Sequence, residues 1–280
     1  MKKVAVIGSG TMGAGIAQAA ALAGYEVILF DIDHEVLAAA YQSITVSIDQ
    51  GVSRGKTPAA TAQVAKTAIT LTTTLTDAAA TDLVIEAVPE KLALKKDIFA
   101  TLDAAAPPHT ILASNTSSLS ISALAGATQR PDKVLGLHFF NPAHVMKLVE
   151  LIRGDDTSPE TIALGHQFVT SLNKTAVECI DTPAFIVNRV ARPFYGEAFR
   201  LLGEQIADVP TIDKLMKSIG FKMGPFELVD LIGCDVNFAV TQSVYEAYFH
   251  DPKYRPHPIQ RRMVESGKLG RKSGRGFYTY

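Results

Sequence analysis

The hydrophobic positions change their period once along the chain. In the first half, short β-branched runs alternate with longer stretches whose apolar residues recur every three or four positions. That alternation is the pattern of a parallel sheet built from βαβ units. The runs predict strands over residues 3–7, 27–31, 68–72, 83–87, 110–113, 134–138, 146–151 and 176–179. Residues 13–22, 35–50, 92–104 and 159–172 have the period of helices that cover a sheet face. Residues 67–81, rich in Thr and Ala but interrupted by Asp77, read as strand, turn and short helix.

The character changes at Asp181-Thr182-Pro183. Thr182 is a good N-cap and Pro183 suits a first helical position, so a helix is predicted to start there. No β-rich run returns until the last few residues, and Val187, Val190, Phe194, Ala198 and Leu201 form one apolar stripe at helical spacing. The expected architecture is α/β: a mostly parallel sheet domain over residues 1–182 and an all-helical domain over residues 183–280. A helical domain this small has much surface for its volume, and the long stripe predicts burial against the first domain or in a homodimer.

Composition sharpens this picture by exclusion. The 280 residues leave room for two domains. The 28 Asp plus Glu against 27 Lys plus Arg give no basic excess for nucleic acid or an anionic membrane surface. Cys179 and Cys234 are too few for a disulfide framework, which predicts a reduced, cytoplasmic protein. The first strand follows Met1-Lys2-Lys3 directly, leaving no room for a leader, and no apolar run reaches the roughly 20 residues of a membrane span.

Gly8-Ser9-Gly10-Thr11-Met12-Gly13 lies between the first strand and the first helix. At that turn Gly8 makes the tight bend, Gly10 admits a pyrophosphate and Gly13 lets helix and strand pack closely, with the helix N-terminus from Thr11 and Met12 offering N–H groups to the phosphates. Asp31 follows Gly13 by 18 residues at the end of the second strand, where a carboxylate accepts hydrogen bonds from an adenosine ribose and repels a 2′-phosphate. The pattern is that of a Rossmann-like domain, and it predicts NAD rather than NADP.

In such sheets ligands bind beyond the carboxyl ends of the strands. Three strand ends are polar there: Glu90 with Lys95 five residues on, Ser114-Asn115-Thr116-Ser117-Ser118, and His138-Phe139-Phe140-Asn141. His138 is followed on the next strand by Glu150, flanked by apolar residues, and such a carboxylate can fix a histidine tautomer and stabilise its protonated form. Asn188 stands in the first turns of the long helix, close to Pro193, which removes one helical hydrogen bond and bends a helix.

The glycine loop, Ser114-Asn115-Thr116-Ser117-Ser118-Leu119, Gly136-Leu137-His138-Phe139-Phe140-Asn141-Pro142, Lys147-Leu148-Val149-Glu150, the segment from Asp181 to Arg189 and Met223-Gly224-Pro225-Phe226-Glu227-Leu228 resemble, in order, the L-3-hydroxyacyl-CoA dehydrogenases, the bacterial 3-hydroxybutyryl-CoA enzymes being nearest in size. The resemblance implies a site between the domains. In it His138 is the acid/base, Glu150 orients it, and Ser117 and Asn188 hold the 3-oxygen of an acyl-CoA. Asp31, Glu90, Lys95, Ser117 and Asn141 contact NAD, with Asn115 beside them, and no metal is required. Where relatives carry a lysine-rich stretch for the coenzyme A phosphates, this chain has only Arg54 and Lys56. Residues 191–198 look more like relatives acting on 3-hydroxyadipyl-CoA. Two other readings compete. A β-hydroxyacid dehydrogenase of the lysine-dependent type is opposed by the His138/Glu150 pair, and a non-catalytic NAD-binding protein of the same fold by the full set of four site residues.

Overall fold

The computed structural model describes all 280 residues. The chain forms two compact units, Met1–Thr182 and Pro183–Tyr280. The first is built on an eight-stranded sheet of β1 (Lys3–Ile7), β2 (Glu26–Phe30), β3 (Ile69–Thr72), β4 (Leu83–Glu86), β5 (Ile111–Ser114), β6 (Val134–Phe139), β7 (Leu148–Arg153) and β8 (Thr175–Ile180), in the spatial order β3-β2-β1-β4-β5-β6-β7-β8. All neighbours are parallel except β6 and β7, which a short loop joins as an antiparallel pair. The helices are α1 (Thr11–Leu22), α2 (His34–Ser53), α3 (Ala59–Thr67), α4 (Leu92–Ala105), α5 (Ile121–Ala125) and α6 (Pro159–Ser171).

The central strands carry apolar residues on both faces because both sides are covered, apart from a row of buried polar groups near their carboxyl ends. Val4 and Val6, Leu83 and Ile85, Leu135 and Leu137, and Val149 and Leu151 join Ile16, Ala17 and Ala20 of α1 and Phe168 of α6 in one core. Alternate residues of the same strands face the other way. Two elements had no strong sequence signal. In α3 only Ala62 and Ala65 are buried, and α5 is five residues long.

The second unit is helical, with α7 (Val187–Gly203), α8 (Val209–Ser218), α9 (Pro225–Ile232), α10 (Cys234–Ala247) and α11 (Pro258–Glu265). Two expectations for α7 are corrected. The helix starts at Val187, not at Pro183, because Ala184 (φ 66°) and Phe185 (φ 50°) are left-handed and no right-handed helix passes through them. Tertiary burial holds that turn: both side chains are buried, Ala184 packs with Val244 and Tyr254, and the Tyr248 hydroxyl donates to the Pro183 carbonyl at 3.2 Å. The buried face is also rotated. It carries Arg192, Tyr195, Ala198 and Phe199, whereas Val190 is 70% exposed. The helix runs on through Pro193. No helix of either unit is long and apolar enough to cross a membrane.

Candidate active site

Residues paired in register share one face of a sheet, so a row of polar groups can be followed across strands. Glu86 on β4 pairs with Ser114 on β5, Ser114 with Gly136 on β6, and, two residues along the same face, His138 with Glu150 on β7. This face therefore carries Glu86, Ser114, His138 and Glu150 toward the carboxyl ends of β4, β5 and β6. His138 is 6% and Glu150 1% exposed, and Nδ1 of the ring lies 2.7 Å from Oε2 of the carboxylate. A proton on Nδ1 donated to Glu150 leaves Nε2 with its lone pair, the arrangement of a general base. The Phe140 ring packs on the imidazole at 4.5 Å between centroids.

Beside this pair lies a line of charge that runs from the buried Glu86 and Lys95 out to the exposed Glu90. Lys95, on α4 and 1% exposed, places its ammonium 2.7 and 2.9 Å from the two oxygens of Glu86, which is fully buried, and 3.0 Å from Oε2 of Glu90. Glu86 also accepts the Ser114 hydroxyl at 2.6 Å and the Val88 N–H at 2.7 Å. Glu90 accepts the Thr116 hydroxyl and the Ser117 N–H, the latter at 3.0 Å. Burial works to raise the Glu90 pKa, but the Lys95 charge and these hydrogen bonds outweigh it and hold the carboxyl below its usual range. Asn115 completes the lattice: its N–H donates to the Glu86 carbonyl at 2.8 Å and its Oδ1 accepts the Phe139 N–H at 2.9 Å. The loop carrying Ser117 is thus tied to the residue that follows His138.

At the other end of the site the glycine loop closes on Asp31. The Asp31 Oδ2 accepts both the N–H and the hydroxyl of Ser9 at 2.8 Å, and Oδ1 accepts the Asp33 N–H at 3.3 Å. Partial burial opposes ionisation, yet the bonds from Ser9, Asp33 and Ile32 lower the pKa, so the group is a carboxylate at neutral pH. The three glycines have different reasons for being glycine. Gly8 has φ +96° and a Cβ there would lie 2.9 Å from the Ala87 carbonyl oxygen, while a Cβ on Gly13 would sit 1.8 Å from the Gly8 oxygen. A Cβ on Gly10 meets nothing within 4 Å, so the protein's own packing does not demand glycine there. No side chain caps the first turn of α1, which leaves its N–H groups available to an anion.

Asn141 stands exposed on the loop between β6 and β7, which the buried Lys174 holds by donating to the Ala143 and Met146 carbonyls at 2.7 and 2.6 Å. Gly15 of α1 lets Ala143 approach, since a Cβ on Gly15 would lie 3.1 Å from the Ala143 side chain. Arg54 and Lys56 lie exposed in the turn after α2, and their side chains join none of these networks. Asn188 is half-buried in the first turn of α7, in the second unit. The sequence pattern marks Ser114 and Thr116 only as part of a polar strand end, and gives no role to Glu86 or Lys174. The signal for Glu86 was present: a carboxylate inside an apolar run needs a buried partner.

The family models settle what this architecture is. One described as the 3-hydroxyacyl-CoA dehydrogenase NAD binding domain matches residues 3–182, and one for the C-terminal domain of the same enzymes matches residues 185–280. The chain belongs to the 3-hydroxyacyl-CoA dehydrogenase family. It is 48% identical to the 3-hydroxyadipyl-CoA dehydrogenase of Escherichia coli K12, over the whole of this chain but 59% of that protein's length. It is 43% identical to a probable 3-hydroxybutyryl-CoA dehydrogenase of Bacillus subtilis, covering 98% of it. The crystal structure of (S)-3-hydroxybutyryl-CoA dehydrogenase from Ralstonia eutropha superimposes with a TM-score of 0.95 at 42% identity, covering all of this chain and 99% of that one.

As a member of this family the protein is an NAD-dependent oxidoreductase, and the first unit fits its cofactor on physical grounds. The uncapped turn of α1 and the Cβ-free approach at Gly10 suit a pyrophosphate, and the Asp31 carboxylate suits an unphosphorylated ribose. The two thiols are poor candidates for chemistry. Burial and nearby carboxylates push both Cys179 and Cys234 up to about 12.

Proposed function

We propose that the protein interconverts (S)-3-hydroxyacyl-CoA and 3-oxoacyl-CoA, with 3-hydroxybutyryl-CoA as the short-chain substrate. The reading rests above all on one observation, the buried His138–Glu150 pair at 2.7 Å. In oxidation His138 Nε2 takes the proton of the C3 hydroxyl while Glu150 steadies the ring through Nδ1 and offsets the imidazolium charge. Ser117 and Asn188 hold the 3-oxygen. Bound NAD, held by the glycine loop, Asp31, Glu90, Lys95, Asn115, Ser117 and Asn141, supplies the hydride acceptor for C3. In reduction the same imidazolium returns the proton. Arg54 and Lys56 are assigned to the coenzyme A phosphates.

A second substrate reading, 3-hydroxyadipyl-CoA, is favoured by Arg192, a buried cation with no acid partner. We also assign a homodimer through the second unit, which exposes Leu215, Ile219 and Phe221 together at the end of α8. NADH oxidation with acetoacetyl-CoA, 3-oxoadipyl-CoA and free acetoacetate tests the reaction. Turnover of thioesters but not of the free acid is expected, and turnover of the free acid alone overturns the reading. Sedimentation at micromolar concentration tests the dimer.

A further inference from the structure

Arg192 is 5% exposed on α7, and its bonding partners are all neutral. Nε donates to the Asn188 carbonyl at 3.2 Å, and Nη1 donates to the Asn237 carbonyl at 3.0 Å and to the Thr241 hydroxyl at 2.9 Å. The guanidinium carbon lies 4.9 Å from the centre of the Tyr195 ring. Nη2 donates to no protein group and is not fully buried. Burial lowers the pKa only to about 10, so the group is a cation at neutral pH.

A second surplus donor lies in the same cluster. The His257 N–H donates to Oε1 of Gln260 at 2.9 Å, which makes the other end of that amide, Nε2, the donor to Oδ1 of Asn237 at 2.8 Å. The Asn237 amide is thereby fixed, and its Nδ2, in a residue 1% exposed, has no acceptor. A guanidinium with one nitrogen left unbonded, and an amide N–H₂ buried without an acceptor, make a receptor for an anion. An apolar side chain of similar volume would spare the fold this uncompensated charge.

We propose that Arg192 and Asn237 form a carboxylate-binding subsite for the far end of the acyl chain, so that a 3-hydroxyacyl-CoA whose chain ends in a carboxylate is preferred over 3-hydroxybutyryl-CoA. The proposal rests on the acyl-CoA reading above and on Asn188 holding the 3-oxygen. The scale fits. Arg192 follows Asn188 by one helical turn, about 6 Å of rise, and in a six-carbon dicarboxylic chain the second carboxyl carbon lies three bonds beyond C3, roughly 4 Å. A planar guanidinium accepts a carboxylate through two parallel hydrogen bonds, and a methyl-ended chain leaves it unpaired.

The test compares kcat/KM for 3-oxoadipyl-CoA and acetoacetyl-CoA, and inhibition by adipyl-CoA and hexanoyl-CoA, which differ only at the chain end. The proteins are the wild type, Arg192→Met and Asn237→Asp, the last nearly isosteric and supplying a carboxylate from within. The wild type is expected to favour 3-oxoadipyl-CoA by about 100-fold or more and to bind adipyl-CoA over hexanoyl-CoA, and both variants are expected to lose that preference. Equal kcat/KM and equal inhibition in the wild type overturn the proposal, as does a preference that survives both substitutions. If Arg192→Met does not fold, Asn237→Asp and the wild-type inhibitor pair decide. A wild type that oxidises NADH with neither thioester overturns the acyl-CoA reading itself, a separate result.

Discussion

Lys95 in the first unit and Arg192 in the second are both buried cations, 1% and 5% exposed, and they differ in what surrounds them. Lys95 lies between two carboxylates, with Glu86 at 2.7 Å and Glu90 at 3.0 Å. Its charge is consumed inside the protein, and the result is mechanical: Glu90 is left aimed at Thr116 and Ser117, and the loop that carries Ser117 is held in place. Arg192 has carbonyls, a hydroxyl and a ring, and its charge is not answered within the fold. A closed charge network builds a site; an open one is suited to read a ligand.

The widest separation between the two should appear in stability. Lys95→Met leaves Glu86 buried without a counter-ion, and breaking such a pair costs about 3–5 kcal/mol. Urea unfolding should show that loss, and most of it should return in the double variant Glu86→Leu/Lys95→Met, where no charge is stranded. A single variant as stable as the wild type would show that the pair is not what holds the strand ends. Comparable in energy, but confined to catalysis, is His138→Ala. A positioned acid/base contributes about 10²–10⁴ in rate, so kcat should fall by that factor or more while NADH still binds, as titrated by its fluorescence. Near-normal turnover would move the proton transfer to another group.

How far these features could be read before the fold was known follows from the range over which each one acts. All eight strands were legible, because β-branched runs bounded by turns are a local signal, and so was the glycine loop, whose roles for Gly8 and Gly13 are steric and short-range. His138 and Glu150 were legible as candidates because they flank one short loop on paired strands. Glu86 was hidden inside an apolar run, and its partner reaches it from a helix nine residues on, which only the βα turn brings together. The start of α7 misled for a similar reason. Thr182-Pro183 has the chemistry of a helix start, while the left-handed turn at Ala184 and Phe185 is imposed by burial against Val244 and Tyr254, some sixty residues later in the chain. A stripe traced through apolar residues alone leaves out Arg192, which lies on the buried face of α7.

Smaller effects sharpen the contrast. Arg192→Met should change unfolding free energy by no more than about 1 kcal/mol, or raise it, since the cation it removes had no acid to strand. A loss as large as that of Lys95→Met would make Arg192 a structural residue and erase the distinction between the two cations.

The smallest effect expected is a pH dependence in the closed network. The Glu90 carboxyl is held below its ordinary value of 4.5, with burial opposing and Lys95, Thr116 and Ser117 prevailing. A carboxyl whose pKa is lower folded than unfolded binds fewer protons in the native state, so its contribution is complete above the unfolded pKa and is lost as pH falls through the folded one. Glu90→Gln keeps the shape and removes the charge. The stability of the wild type over this variant should be constant from pH 7 to about 5 and should shrink as pH falls below 4.5. A difference that stays flat to pH 3 would mean that the hydrogen bonds to Thr116 and Ser117, and not the pairing with Lys95, are what Glu90 contributes.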